Sequence, residues 1–234
     1  VPRSAIISVE ILVYSERILK MILKLREPVS GLMHLGGALA ALVGQIVLLV
    51  MGWPGIEKVA SVLVYGISLV TLFSASAGYH LINAGPKVTA ALRKLDHSAI
   101  YLLIAGSYTP FCLNAFTGFF RWGLLAIVWS IALVGILVKL FYMGAPRWLS
   151  AAIYVLMGWL CLMAGGEMFT ALTPFTLAWM VVGGIIYTLG AVVYATKTLD
   201  FFPGKFGFHE VWHIFVLLGA AAHFVAVAGL ITAA

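Results

Sequence analysis

Two pairs of residues spaced four apart stand out in a chain that is otherwise poor in polar side chains. They are Ser76 and His80 in SASAGYH, and His209 and His213 in HEVWHIFVLLGAAAHF. On a helix, residues at i and i+4 project from one face, about 6 Å apart along the axis. Two imidazoles so placed can reach one metal ion. A third from another helix completes the three-ligand set of a hydrolytic zinc site, with one coordination position left for water. His80 is available as the third ligand, and Asp96 as a group that holds the water or orients a ligand. A lone histidine among apolar helices has a simpler use, a hydrogen bond to a neighbour. The metal reading therefore depends on three imidazoles reaching one place.

The elements that must bring them there are legible from composition. Of 234 residues 63% are apolar and 9% charged, with mean hydropathy +1.11, against roughly 25% charged residues in soluble domains. The fold class expected is an all-α integral membrane protein. Apolar runs occupy residues of about 30–51, 57–80, 96–115, 121–141, 147–166, 174–196 and 209–232, and each approaches the roughly 20 residues that span a hydrocarbon core. Barrel strands would alternate in short segments, and these runs do not. Turn signals such as Trp53-Pro54-Gly55, Gly85-Pro86, Thr173-Pro174 and Pro203-Gly204 separate the runs, leaving room for no soluble domain between them. Residues 1–29 read as an amphipathic interfacial helix, with Ile7, Ile11, Ile18, Ile22 and Leu25 at helical spacing and Arg17, Lys20, Lys24 and Arg26 between them. It lacks the features of a signal peptide and is expected to stay in the mature protein. Residues 30–234 read as a seven-helix transmembrane domain.

Of the 14 Lys and Arg, all but Lys58 and Arg121 fall on one side of this topology. The positive-inside rule then puts the amino terminus in the cytoplasm and the carboxyl terminus outside. The formal charge of +6 is accounted for by anionic lipid headgroups at a basic inner face, with no nucleic acid needed. On that topology His80, Asp96, His209 and His213 share one depth at the inner ends of three helices, with Ser76 one turn from His80. His223 lies about 15 Å deeper than His213 and reads as a packed, hydrogen-bonded histidine. His34 and His97 are placed to support the site, with no partner visible in the sequence. Glu167 and Glu210 are expected to be solvated or paired at the interface. Cys112 and Cys161 are assigned to opposite halves of the bundle, which disfavours a disulfide. Gly183, Gly184 and Gly190 permit close helix approach or room for a chain.

SASAGYH, LRKLDHSAIYLLIAGSYTPF and HEVWHIFVLLGAAAHF together resemble the three signature regions of the haemolysin III family, the bacterial branch of the progestin and adipoQ receptor (PAQR) superfamily. The resemblance covers residues of about 30–232. It implies a seven-helix protein of the bacterial inner membrane, with Zn²⁺ held near the cytoplasmic face by His80, His209 and His213. It also implies that Asp96 and Ser76 contact the zinc-bound water or a reacting carbonyl. The receptor relatives resemble ceramidase-type lipid amidases, whereas the branch name carries a pore-forming meaning. The function expected is a zinc-dependent hydrolase of an amide or ester bond in a membrane lipid. Asp96 would be the base and Ser76 the oxyanion donor. The alternative is a receptor or channel-like protein with structural zinc. A pore is disfavoured because no span carries a row of polar residues. Haem is disfavoured because an i, i+4 pair does not approach a ring from opposite faces.

Overall fold

The computed structural model describes residues 25–202 and 206–233. The interfacial helix expected over residues 1–29 lies almost entirely outside the described residues. The remaining order is α1 (Pro28–Gly52), α2 (Ile56–Leu81), α3 (Pro86–Asn114), α4 (Gly118–Phe141), α5 (Arg147–Trp159), a 3₁₀ turn (Leu160–Ala164), α6 (Gly165–Ala171), α7 (Pro174–Thr196) and α8 (Phe208–Ala233). Pro28, Pro86 and Pro174 each occupy the first position of a helix, where the missing amide hydrogen costs nothing and the fixed φ is already helical. At α7 the Thr173 hydroxyl also accepts the Thr176 amide at 3.2 Å, a conventional N-cap.

Among the described residues six helices are long and apolar enough to cross a membrane: α1, α2, α4, the composite Arg147–Ala171, α7 and α8. Their outward surfaces are strongly apolar, with Val43, Ile46, Val50, Leu156 and Phe141 all more than 60% exposed. A surface of this kind is stable against hydrocarbon chains, and helices satisfy their own backbone there. The chain is a multi-pass integral membrane protein.

The third element departs from the expected boundary. It is a helix of 29 residues that begins at Pro86, ten residues before the apolar run at 96. Lys87, Arg93, Lys94 and Asp96 interrupt the hydropathy without interrupting the helix, because backbone hydrogen bonding is indifferent to charge where the side chains reach water or a cavity. Its buried residues, including Ala99, Tyr101, Leu103, Ala105, Tyr108, Phe111 and Cys112, join the common core.

The fifth run departs in a second way, as it is not one continuous helix. It tightens to 3₁₀ at Leu160–Ala164 and resumes at Gly165. The Tyr108 hydroxyl fills this break. It lies 2.9 and 2.7 Å from the carbonyl oxygens of Met157 and Gly158, to which it donates, and it accepts the Cys161 amide at 2.9 Å. A tertiary hydroxyl thereby replaces backbone bonds lost at the break. Tyr108→Phe is expected to lower stability by about 1–3 kcal/mol, the cost of leaving such groups unpaired. Thermal unfolding of the purified variant in detergent measures it, and an unchanged midpoint would remove the hydroxyl from this role.

The same contact corrects the placement of the cysteines. Cys112 is one turn from Tyr108 on α3, and Tyr108 bonds to Cys161, so both cysteines lie on the same half of the bundle. Both are free thiols. The error has a simple source: the third and fifth runs both cross in the same direction, so late residues of each reach the same side.

Candidate metal centre

The end of α2 and the start of α8 meet beside the first turns of α1. His80 closes α2, and His209 and His213 stand on the first two turns of α8. The ligand-capable nitrogens of His80, His209 and His213 all lie within 4.8 Å of one another. The Nε2 atoms of His80 and His209 are 3.4 Å apart, and the rings of His209 and His213 have centroids 4.6 Å apart. Zinc–nitrogen bonds of about 2.05 Å in a tetrahedral site require nitrogens about 3.3 Å from each other. The donor set fits a tetrahedral metal, with one pair already at that spacing and the third ring in reach. His80 and His213 are buried, at 1% and 3% exposure.

The cluster opens into a cavity of about 520 Å³. Ser76 and Asp96 line it together with His80, His209 and His213. The five residues singled out by type and spacing therefore face one space. The cavity continues past Tyr108, Leu162, Met180 and Gly184 to His223, so it runs along the bundle from the histidine cluster toward the opposite side. Arg93 and Arg147 also border it.

The other histidines divide. His223 donates Nδ1–H to the Gly219 carbonyl at 3.0 Å and lies against Tyr187, the packed role expected of it, although its ring also borders the cavity. His97 lines the cavity, while its carbonyl accepts the Tyr154 hydroxyl at 3.2 Å. His34 is stacked on His213, with centroids 3.9 Å apart and planes within 15°. Neither ring nitrogen of His34 has a hydrogen-bond partner among the described residues. The two glutamates are paired, as expected. Glu167 accepts the amide and hydroxyl of Thr117 at 2.9 and 3.0 Å. Glu210 accepts the Ser30 hydroxyl at 2.9 Å and the Gly207 amide at 2.8 Å.

Of the glycines in α7, Gly183 makes the close helix approach expected of it, and Gly184 lines the cavity. A Cβ on Gly183 would stand 2.2 Å from His223 Nδ1, whereas one on Gly184 would meet nothing nearer than the Trp159 ring at 3.3 Å. The first is a close approach of α7 to α8 and the second lies along the cavity wall. Gly183→Ala is expected to destabilise by about 1–3 kcal/mol through overpacking, with His223 displaced. A melting curve checks the first effect, and an undisturbed midpoint would mean that the ring has free space to move into.

Glu27 is the residue that sequence reasoning missed. It precedes Pro28, and its carboxylate accepts the Nδ1 proton of His80. That hydrogen bond holds its pKa below the ordinary carboxylate value, against the raising effect of burial. Arg26 sits beside it at 3.4 Å, with its guanidinium over the Tyr79 ring at 4.1 Å. A signal was present in the sequence: Glu27, Ser30 and His34 are the polar residues heading the first span, at the spacing of one helical stripe.

The family model described as haemolysin-III related matches residues 23–224. The chain belongs to that family. This haemolysin-III-related chain is 35% identical over 216 residues to Hemolysin-3 of Bacillus cereus, an alignment covering 91% of this chain and 95% of the relative. It is 38% identical over 169 residues to the Hemolysin-3 homolog of Bacillus subtilis (strain 168), covering 72% of this chain and 76% of that one. The family relation extends to PAQR-type receptors. The adiponectin receptor protein of Drosophila melanogaster is 27% identical over 214 residues, covering 82% of this chain and 47% of the receptor.

Proposed function

We propose that this haemolysin-III-related protein is a zinc-dependent hydrolase of an amide or ester bond in a membrane lipid. The observation that carries the reading is the convergence of three imidazoles, a carboxylate and a hydroxyl on one long cavity between helices. His80, His209 and His213 would hold the ion, and Zn²⁺ bound there supplies a Lewis acid and an acidified water. In this reading α3 is a seventh crossing, the amino terminus faces the cytoplasm of a bacterial inner membrane and the carboxyl terminus lies outside.

The chain's own residues do the rest. The cavity walls formed by Leu103, Ile104, Leu162 and Met180 hold an acyl chain alongside the helices and exclude water from all but the polar end. That sets the scissile carbonyl at headgroup depth, beside Ser76 and Asp96. Asp96 accepts a proton from the attacking water as the oxygen–carbon bond forms. Ser76 donates its hydroxyl hydrogen to the developing oxyanion. Asp96 then returns the proton to the departing nitrogen or oxygen as the carbon–heteroatom bond breaks. Arg93 and Arg147 at the polar end favour a bilayer surface rich in anionic headgroups.

The test is fatty-acid release from acyl-amide and acyl-ester lipids by the zinc-loaded protein in nanodiscs, beside its His80→Ala variant. Release by the wild type alone supports the reading. Equal release from both, or none from either on every lipid, rejects it.

A further inference from the structure

His80 is held from behind by the chain that enters α1. Its ring donates Nδ1–H to the Glu27 carboxylate, and the Glu27 amide donates to the His80 carbonyl at 2.9 Å. One residue thus grips both the ring and the backbone of another 53 positions away. The same helix terminus makes two more ties to the cluster. The Ser30 hydroxyl reaches Glu210, the neighbour of His209, at 2.9 Å, and His34 stacks on His213. His80 and His213 are thus each touched by a residue at the head of α1, while Ser30 reaches only the neighbour of His209.

The consequence for His80 is specific. An imidazole can rotate about its side-chain bonds and can carry its proton on either nitrogen. With Nδ1–H committed to Glu27, the lone pair is on Nε2, the atom that lies 3.4 Å from Nε2 of His209. A carboxylate acting behind a ligand histidine in this way fixes the ring and its tautomer and raises its basicity as a ligand. We infer that Glu27 is the positioning residue of the metal centre, holding His80 with Nε2 turned toward the ion. This deepens the zinc reading of the cluster and rests on it.

The experiment measures zinc affinity of the purified full chain by competition with a chromophoric chelator, for wild type, Glu27→Ala, Glu27→Gln and His80→Ala. Glu27→Ala is expected to bind zinc about 10–100-fold more weakly than wild type. Glu27→Gln keeps an oxygen that can accept from Nδ1 and is expected to lose less. Cobalt substituted for zinc reports the ligand field directly. Its visible bands are expected to shift in Glu27→Gln and to stay in place in Ser30→Ala, which cuts a tie to α1 without touching a ligand ring. Glu27→Ala binding zinc within threefold of wild type, while His80→Ala has lost it, overturns the positioning role and leaves the zinc reading intact. A loss in Glu27→Gln that exceeds that in Glu27→Ala also overturns it. Wild type that binds no zinc overturns both. If Glu27→Ala does not fold, a cobalt spectrum of Glu27→Gln identical to wild type is the refuting result.

Discussion

Purified wild-type protein is expected to carry about one zinc per chain, which His80, His209 and His213 would hold, and His213→Ala is expected to carry none. His213 is the most demanding member of the cluster to lose. It is buried to 3% exposure, it lies 4.7 Å from the His80 ring and 4.6 Å from the His209 ring, and it forms the face on which His34 stacks. Removing it leaves His80 and His209 as the two imidazoles at the site. Structural zinc is worth roughly 10–16 kcal/mol across four ligands, so one imidazole contributes about 3 kcal/mol, and its loss weakens binding at least on the order of 100-fold. Elemental mass spectrometry after dialysis against a weak chelator reads this directly. Metal retained in His213→Ala at the wild-type level would mean that the three histidines do not form the binding set. The fold is expected to survive, because α2 and α8 are also joined through α1 by Glu27 and Ser30.

Asp96→Ala is expected to slow lipid hydrolysis by about 10²–10⁴-fold, the usual contribution of a positioned general base, while zinc content stays at the wild-type level. The two halves of this expectation separate the catalytic reading from the structural one. Asp96 lines the cavity with the histidines but is not one of the three groups whose nitrogens converge, so its loss spares the ion. A protein that uses zinc only to hold its helices together would keep its function in Asp96→Ala and lose it in the histidine variants. Steady-state release of fatty acid, measured beside metal content on the same preparation, decides between them. Ser76→Ala is the milder companion, expected at about 10²-fold, the value of one oxyanion donor. A rate in Asp96→Ala within a factor of two of wild type would remove the carboxylate from the chemistry.

Much of the site was legible because helical periodicity is a local property. His209 and His213 are four apart on α8, and Ser76 and His80 four apart on α2, so each pair shares a face whatever the rest of the chain does. Counting alternate crossings then brought His80, Asp96 and the α8 pair to one depth. The same counting also puts Cys112 and Cys161, late in two runs that cross in one direction, on the same side, where Tyr108 joins them. The start of α3 at Pro86 was also within reach, since Gly85-Pro86 is a helix-opening signal. Hydropathy hid it, because Lys87, Arg93 and Lys94 read as a connection while the backbone continues as a helix.

By itself the sequence determined a multi-pass helical membrane protein, its family, and the residues whose spacing suits a metal. These follow from properties that short stretches of chain carry alone: apolar length, the 3.6-residue repeat, and the rarity of ionisable groups in a hydrocarbon solvent. Only the tertiary structure decided which partners stand behind those residues. The grip of Glu27 on His80, the stacking of His34 on His213, the Ser30–Glu210 tie and the Tyr108 hydroxyl seated in the broken fifth run all join groups far apart in the chain. Such contacts depend on the rotation and depth of one helix against another. Those are set by packing summed over the whole bundle, and no local pattern records them.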